Sequence, residues 1–379
     1  MKIIVLSSYS YVIKVNNYGS LLQYFALQTY LERNGHEVQW LKYEAQKKTP
    51  KGINKWLREK LLHSYFKTDN VQFHNKEGFF KFIERYIKLT EEKYRNKEEL
   101  YSNPPNADLY IVGSDQVWNG YSSDRYLMFV PSNIPKISYA VSFGKNKIPS
   151  YMRPLLWYYL KSFTAISVRE MEGVKLCHSL GRNDAQYTID PSFLLNREEY
   201  IKFIKKDNCL PPTSKSYIYG YFVNPFPDNI LTAKEAIDQY IKENKKEFIV
   251  TGIQNAEYAL TDYNIIQPSP LEWVNTILNA DNILTNSFHG VAFSINLQKP
   301  FLVILQNGDM SNQNCRYLNL LKRLGLEDRI YNSEKGSLQK QMNRFIDWES
   351  VNKKKEIFIE ESKKFLQTAL SSAAKTKKI

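Results

Sequence analysis

The strongest constraint on this chain is a habit of its apolar runs. Ile3 to Leu6, Leu109 to Val112, Ile137 to Val141, Ala165 to Val168 and Thr188-Ile189 are short and unbroken, and each halts at small or charged residues. A continuous apolar run reads as a strand buried on both faces, which is the habit of a parallel sheet. The stops are Ser7, Gly113-Ser114-Asp115, Ser142-Phe143-Gly144-Lys145, Arg169-Glu170 and Asp190-Pro191-Ser192. A sheet that ends its strands this way has one polar edge, and in open α/β sheets the carboxyl edge is where ligands bind.

The most telling stop lies further along, at Asp281 to Gly290. Ile283-Leu284 gives way to Thr285-Asn286-Ser287, and after Phe288, His289 and Gly290 comes an apolar run, Val291, Ala292, Phe293, Ile295 and Leu297. This reads as strand, turn and helix N-terminus, a place that favours anions. His289 there suits proton transfer near neutral pH. The competing reading is a turn histidine that only caps its helix.

The pattern of alternating elements occurs twice. Strand Ile3–Leu6, a helix from about Leu21 to Asn34 closed by Gly35, and strand Val38–Tyr43 form a βαβ unit. After a Cys209-to-Pro212 turn the pattern restarts with strand Tyr217–Val223, a helix near Ala233–Asn244 and strand Phe248–Thr251. Strand Ile265-Ile266, a helix over Pro270–Asn279 and strand Phe301–Leu305 complete it. At 379 residues the chain is long for one core and suits two α/β domains. We expect an N-terminal Rossmann-like domain over 1–195, a C-terminal one over 196–345 and a terminal helix over 346–379, facing across a cleft. Within 46–82, Ile53, Trp56, Leu57, Leu61, Leu62, Tyr65 and Phe66 recur at helical spacing among Lys51, Lys55, Arg58, Lys60 and Lys67. Such a stretch either packs on its own domain or lies on an anionic membrane.

Several classes are excluded. The first loop lacks a Gly-x-Gly-x-x-Gly fingerprint, so no nicotinamide or flavin cofactor is expected. Net charge is +13, yet no nucleic-acid motif accompanies it; anionic small substrates or an anionic membrane face suit it better. Cys177, Cys209 and Cys315 are scattered and odd in number, which argues for a reducing compartment and a cytoplasmic protein. No carboxylate or histidine cluster has metal-ligand spacing, so no metal is expected.

These motifs resemble the polysaccharide pyruvyl transferases. The residues carrying the likeness are Asn17 to Gln23 with Ala26-Leu27, Ile111 to Asn119, Ser138 to Gly144, Ile166 to Glu170, Asp190 to Ser192, and Thr285 to Gly290 with Lys299 to Phe301. Arg316 with Leu324 to Leu326 adds to it. The resemblance implies a GT-B-like fold and transfer of a pyruvyl group from phosphoenolpyruvate to sugar hydroxyls, as a cyclic ketal, without a cofactor. It implies that Arg169 and His289 serve the donor. Relatives often read Arg-Leu-His where this chain has Ser287-Phe288-His289, so either another cation covers for that bidentate partner, with Arg316 and Lys145 the candidates, or the donor differs.

The expected donor side is therefore Arg169, Ser287, Phe288, His289, Gly290, Arg316 and Lys145. Asp115 is the expected base or orienting group, or else an Asx turn. The expected acceptor side is Asn17, Gly19, Gln23, Ser114, Gln116 and Trp118, with Trp118 as a sugar platform or a core residue and Asn17 as a hydroxyl partner or a helix cap. The acceptor would be a capsule or exopolysaccharide sugar, or a lipid-linked oligosaccharide. Alternatives are a GT-B glycosyltransferase using a nucleotide-sugar, or a non-catalytic scaffold of the same fold.

Overall fold

Two parallel sheets organise the molecule, a computed structural model that describes residues 1–44, 75–223, 228–253, 260, 262–306 and 314–376. The first sheet comprises β1 (Lys2–Leu6), β2 (Glu37–Trp40), β3 (Leu109–Val112), β4 (Lys136–Val141), β5 (Ala165–Val168) and β6 (Gln186–Tyr187), in the order β2-β1-β3-β4-β5-β6. The second comprises β7 (Tyr217–Val223), β8 (Glu247–Ile253), β9 (Asn264–Ile265), β10 (Asn282–Thr285) and β11 (Phe301–Val303), ordered β11-β10-β7-β8-β9. Every pairing is parallel, as the unbroken apolar runs require.

Helices cover the sheets. Around the first lie α1 (Tyr9–Val15), α2 (Tyr18–Arg33), α3 (Lys76–Tyr86), α4 (Lys97–Ser102), α5 (Arg153–Lys161), α6 (Met171–Ser179) and, after β6, α7 (Arg197–Lys206). The second carries α8 (Asp228–Asn244), α9 (Pro270–Asn279), α10 (Phe288–Asn296), α11 (Cys315–Leu324) and α12 (Leu338–Met342); the chain closes with α13 (Trp348–Thr376). These are two Rossmann-like units in a GT-B-like arrangement.

Local chemistry explains the element boundaries. Asn17 caps α2 by accepting from Ser20 N, which moves the helix start ahead of the expected Leu21. The strand expected over Val38–Tyr43 stops at Trp40, and Tyr43 survives as a single bridge to Tyr94. The run Thr188-Ile189 lies just past its strand, because Asp190 begins a 3₁₀ turn over Pro191–Leu194 by accepting from Ser192 N. The basic amphipathic stretch expected over 46–82 lies almost wholly outside the described residues; only its last residues are described, from 75 into α3.

One core runs through both units. The Tyr18 ring at the start of α2 stacks on Trp273 of α9, 5.4 Å centroid to centroid, and its hydroxyl donates to Pro268 O at 2.9 Å. Aromatic pairs of this kind add roughly 1 kcal/mol beyond their buried area. Asn296 Nδ2 in α10 donates to Leu195 O at 2.8 Å. Helix α13 returns to the first sheet: its Phe358 ring packs on Tyr187 at 4.7 Å, and Ser362 Oγ accepts from Ile189 N. The units are thereby bound at three separate places along the chain.

Candidate active site between the two units

Three carboxylates and two guanidinium groups meet where the carboxyl edge of the first sheet faces α10. The hub is Asp190, one residue beyond the expected strand Thr188-Ile189 and almost wholly buried. Its Oδ2 accepts from Arg169 Nη1 at 2.8 Å and from Ser114 Oγ at 2.9 Å, and faces His289 Nε2 at 3.8 Å. That last distance is too long for a hydrogen bond but short enough for an ion pair with a protonated imidazole. Burial pushes Asp190 up, but the His289 and Arg169 charges more than offset it, so the carboxyl is held well below the usual range.

Arg169 follows β5 and is 2% exposed. Its guanidinium lies over the Phe288 ring, 4.2 Å from the centroid, so a side chain of the second unit forms its floor. Nη1 is engaged with Asp190, and Nη2 stands 3.8 Å from Asp115 Oδ1. Nε and Nη2 have no hydrogen-bond partner among the described residues. Those two groups are adjacent on one edge of the guanidinium, the edge that fits a carboxylate or phosphate bidentately. A buried edge of this kind costs desolvation energy unless an oxyanion meets it.

Asp115 follows β3 with a positive φ of 82°, a conformation a non-glycine residue holds only where its surroundings enforce it. Its backbone oxygen accepts from Ser142 N and Val117 N. Its Oδ2 accepts from Ser20 Oγ, and its Oδ1 from Gln116 N at 2.8 Å. Burial raises its pKa, yet the Arg169 and His289 charges, with those two hydrogen bonds, bring it below the ordinary carboxylate value. Glu170 is the opposite case. Fully buried, it accepts on Oε1 from Ser142 Oγ and Phe143 N while Oε2 has no partner among the described residues, and burial carries its pKa up despite Arg169 and Arg316.

His289 is held at the second position of α10 by two glycines. A Cβ at Gly19 would fall inside the His289 ring atoms, so only glycine lets the imidazole lie against α2. A Cβ at Gly290 would fall on Thr285 Oγ1, so glycine also lets α10 leave β10 tightly. Ser287 sits at the N-cap with its N–H bonded to Thr285 Oγ1. Arg316, in the first turn of α11, is nearly buried; burial and the neighbouring Arg169 charge both lower its pKa. Two like charges are thus held close together at the same site.

The structure therefore brings together Asp115, Arg169, Phe288, His289, Gly19 and Arg316, with Ser114 bracing Asp190. Other expected residues are engaged differently. Lys145 Nζ donates to Asn119 O at 2.8 Å and sits over the Tyr121 ring. Trp118 is not a sugar platform: it is fully buried, stacked on Tyr126 and tilted against Phe143. Asn17 is spent on its cap, and Gln23 donates to Ser7 Oγ and Ser20 O from a buried position. Gln116 stays half-buried beside Asp115. Asp190, Glu170, Ser20 and Ser142 were not expected in the site, although all four stand in the stretches that carry the family likeness. Among the described residues no cluster of His, Cys, Asp and Glu is placed to hold a metal ion.

Fold and site together define a two-unit α/β protein with a buried, cation-rich centre at the junction. The family model for the polysaccharide pyruvyl transferases matches residues 17–307, and the chain belongs to that family. Solved structures with a similar fold include the UDP-GlcNAc 2-epimerase of Neisseria meningitidis bound to UDP-GlcNAc. It is 13% identical, with 96% of this chain and 100% of that one covered, at a TM-score of 0.48. Another is the glycosyltransferase SnogD of Streptomyces nogalater, 15% identical, with 99% of each chain covered, at a TM-score of 0.47. No curated protein matches the sequence.

Proposed function

We propose that this transferase moves the pyruvyl group of phosphoenolpyruvate onto two hydroxyls of a sugar in a capsule or exopolysaccharide unit, forming a cyclic ketal. The observation that carries this reading is the Nε–Nη2 edge of buried Arg169, which has no hydrogen-bond partner among the described residues, beside Arg316 and near His289. The donor has a carboxylate and a phosphate. Arg169 offers a bidentate fork for one and Arg316 a cation for the other, with the N-terminus of α10 close by. Arg316 then stands in for the arginine that relatives carry two residues before the histidine.

Chemistry assigns the remaining roles. The imidazolium form of His289, facing Asp190 across 3.8 Å, gives its proton to the donor methylene, and the first sugar oxygen bonds to the adjacent carbon. That hydroxyl's proton restores His289. The carbon–oxygen bond to phosphate then breaks, the second sugar oxygen bonds to the same carbon, and the second proton leaves with the phosphate. Asp115 is held too acidic to be an effective base; as a carboxylate it suits orienting a hydroxyl and stabilising positive charge at the reacting carbon. The three scattered cysteines support a reducing, cytoplasmic setting, where this donor occurs.

Incubation of the purified protein with phosphoenolpyruvate and candidate glycans should release phosphate and add a pyruvate ketal to the glycan mass. Turnover of a nucleotide-sugar, with no ketal on any glycan tested, overturns the proposal.

A further inference from the structure

Helix α5 carries an exposed face that the reaction does not use. Tyr151, just before it, is 80% exposed; Tyr158 is 59% and Trp157 48% exposed, with Leu155 alongside. Tyr151, Leu155 and Tyr158 recur at spacings of four and three, so they share one stripe. Buried Leu156, Tyr159 and Leu160 hold the other side on the first unit's core. The charges within this segment are of one sign. Lys161 Nζ lies 5.1 Å over the Trp157 ring, Lys147 is exposed just upstream, and the sequence has no Asp or Glu between Asp124 and Glu170.

We infer that this face docks on an anionic lipid surface. Trp and Tyr suit the headgroup region, where one end of the ring is wet and the other apolar, while lysines add attraction to anionic lipid. A second copy of the chain is the less suitable occupant, because two copies of this segment, which carries lysines and no acid, would bring lysines together. The position is informative too. The chain reaches α5 from the end of β4, whose carboxyl end lies on the sheet edge that carries Asp115 and Arg169, through residues 142–152. None of this depends on the pyruvyl reading, and the test uses no substrate.

Vesicles of phosphatidylglycerol with phosphatidylcholine should bind the full chain, pure phosphatidylcholine should bind it at least about tenfold more weakly, and high salt should release it. The triple variant Tyr151→Ser, Leu155→Ser, Tyr158→Ser should lower partitioning about tenfold or more while circular dichroism and the thermal unfolding midpoint stay unchanged. Brominated acyl chains should quench tryptophan emission in the parent, and Trp157→Phe should remove that quenching while Trp56→Phe should not. Binding that survives the triple variant, quenching that disappears only with Trp56→Phe, or no partitioning at all would each overturn the inference. So would a concentration-dependent dimer that the triple variant abolishes in a chain that does not bind vesicles.

Discussion

The two sheets finish their strands in different chemistry. Strand ends of the first deliver charge: Asp115, Arg169 with Glu170, and Asp190. Strand ends of the second deliver amides and backbone. Asn286 bonds Val223 in both directions, Gln306 donates to Asn286 O, and Asn314 bonds Gln306 in both directions. The second unit's reactive groups, His289 and Arg316, come from helix starts instead. One unit thus supplies a fixed charge framework, and the other sets a proton carrier and a cation against it. Neither unit alone holds both, so the site exists only while they are docked.

The largest expected effect separates the two arginines. Arg169→Met leaves Asp190 buried without its nearest cation, and breaking a buried pair costs about 3–5 kcal/mol. Urea unfolding should show that loss, and kcat/KM should fall by about a thousandfold or more. Arg316 already has its charge disfavoured by burial and by Arg169, so Arg316→Met should cost less stability than Arg169→Met. Its effect should be a rise in KM for the donor, about ten- to a hundredfold for a lost charged hydrogen bond. Equal stability losses from the two variants would break the contrast between framework and ligand cation.

Next in size is the seam itself. Gly19→Ala places a methyl group inside the His289 ring, so the imidazole or α2 must move. A displacement of about 1 Å costs on the order of a hundredfold in rate. We expect kcat to fall by about that factor while the circular dichroism spectrum is kept. Unchanged kcat would show that His289 does not act from the position it holds here.

The sequence disclosed one half of this contrast better than the other. Most strands were legible because burial on both faces forces unbroken apolar runs, and the polar stops marked Asp115, Arg169 and His289. Asp190 was harder: an Asp-Pro-Ser stretch reads as a turn, which it also is, and its second role needs β5 and β6 side by side. Glu170 stood in the sequence only as the neighbour of Arg169 at a strand end, and its burial depends on the fold of Ser142-Phe143 over it. Trp118 and Asn17 went to their structural readings, because aromatic packing and helix capping satisfy them locally. The return of α13 to the first sheet left no sequence signal, since a periodic helix shows which face is apolar and not what it will cover.

The smallest effect is the sharpest test of the framework, because two carboxyls on one sheet edge should respond to pH with opposite sign. Asp190 is held below its unfolded value, so its contribution to stability is full above about pH 4 and is lost as pH falls through its folded value. Glu170 is held above the ordinary 4.5, so the folded state binds the extra proton, and its contribution declines as pH rises from there through its folded value. The physical difference is in the partners: Asp190 meets cations from both units, whereas Glu170 keeps an oxygen with no hydrogen-bond partner among the described residues. Glu170→Gln keeps an acceptor for Ser142 and Phe143 N and cannot ionise. Plotted against pH, the variant's stability minus the parent's should therefore climb as pH rises above about 4.5. For Asp190→Asn the same difference should climb instead as pH falls below about 4, where the parent loses its advantage. A flat Glu170→Gln difference would mean that Glu170 is ionised alongside Asp115 and Asp190, and that Arg169 and Arg316 balance all three charges.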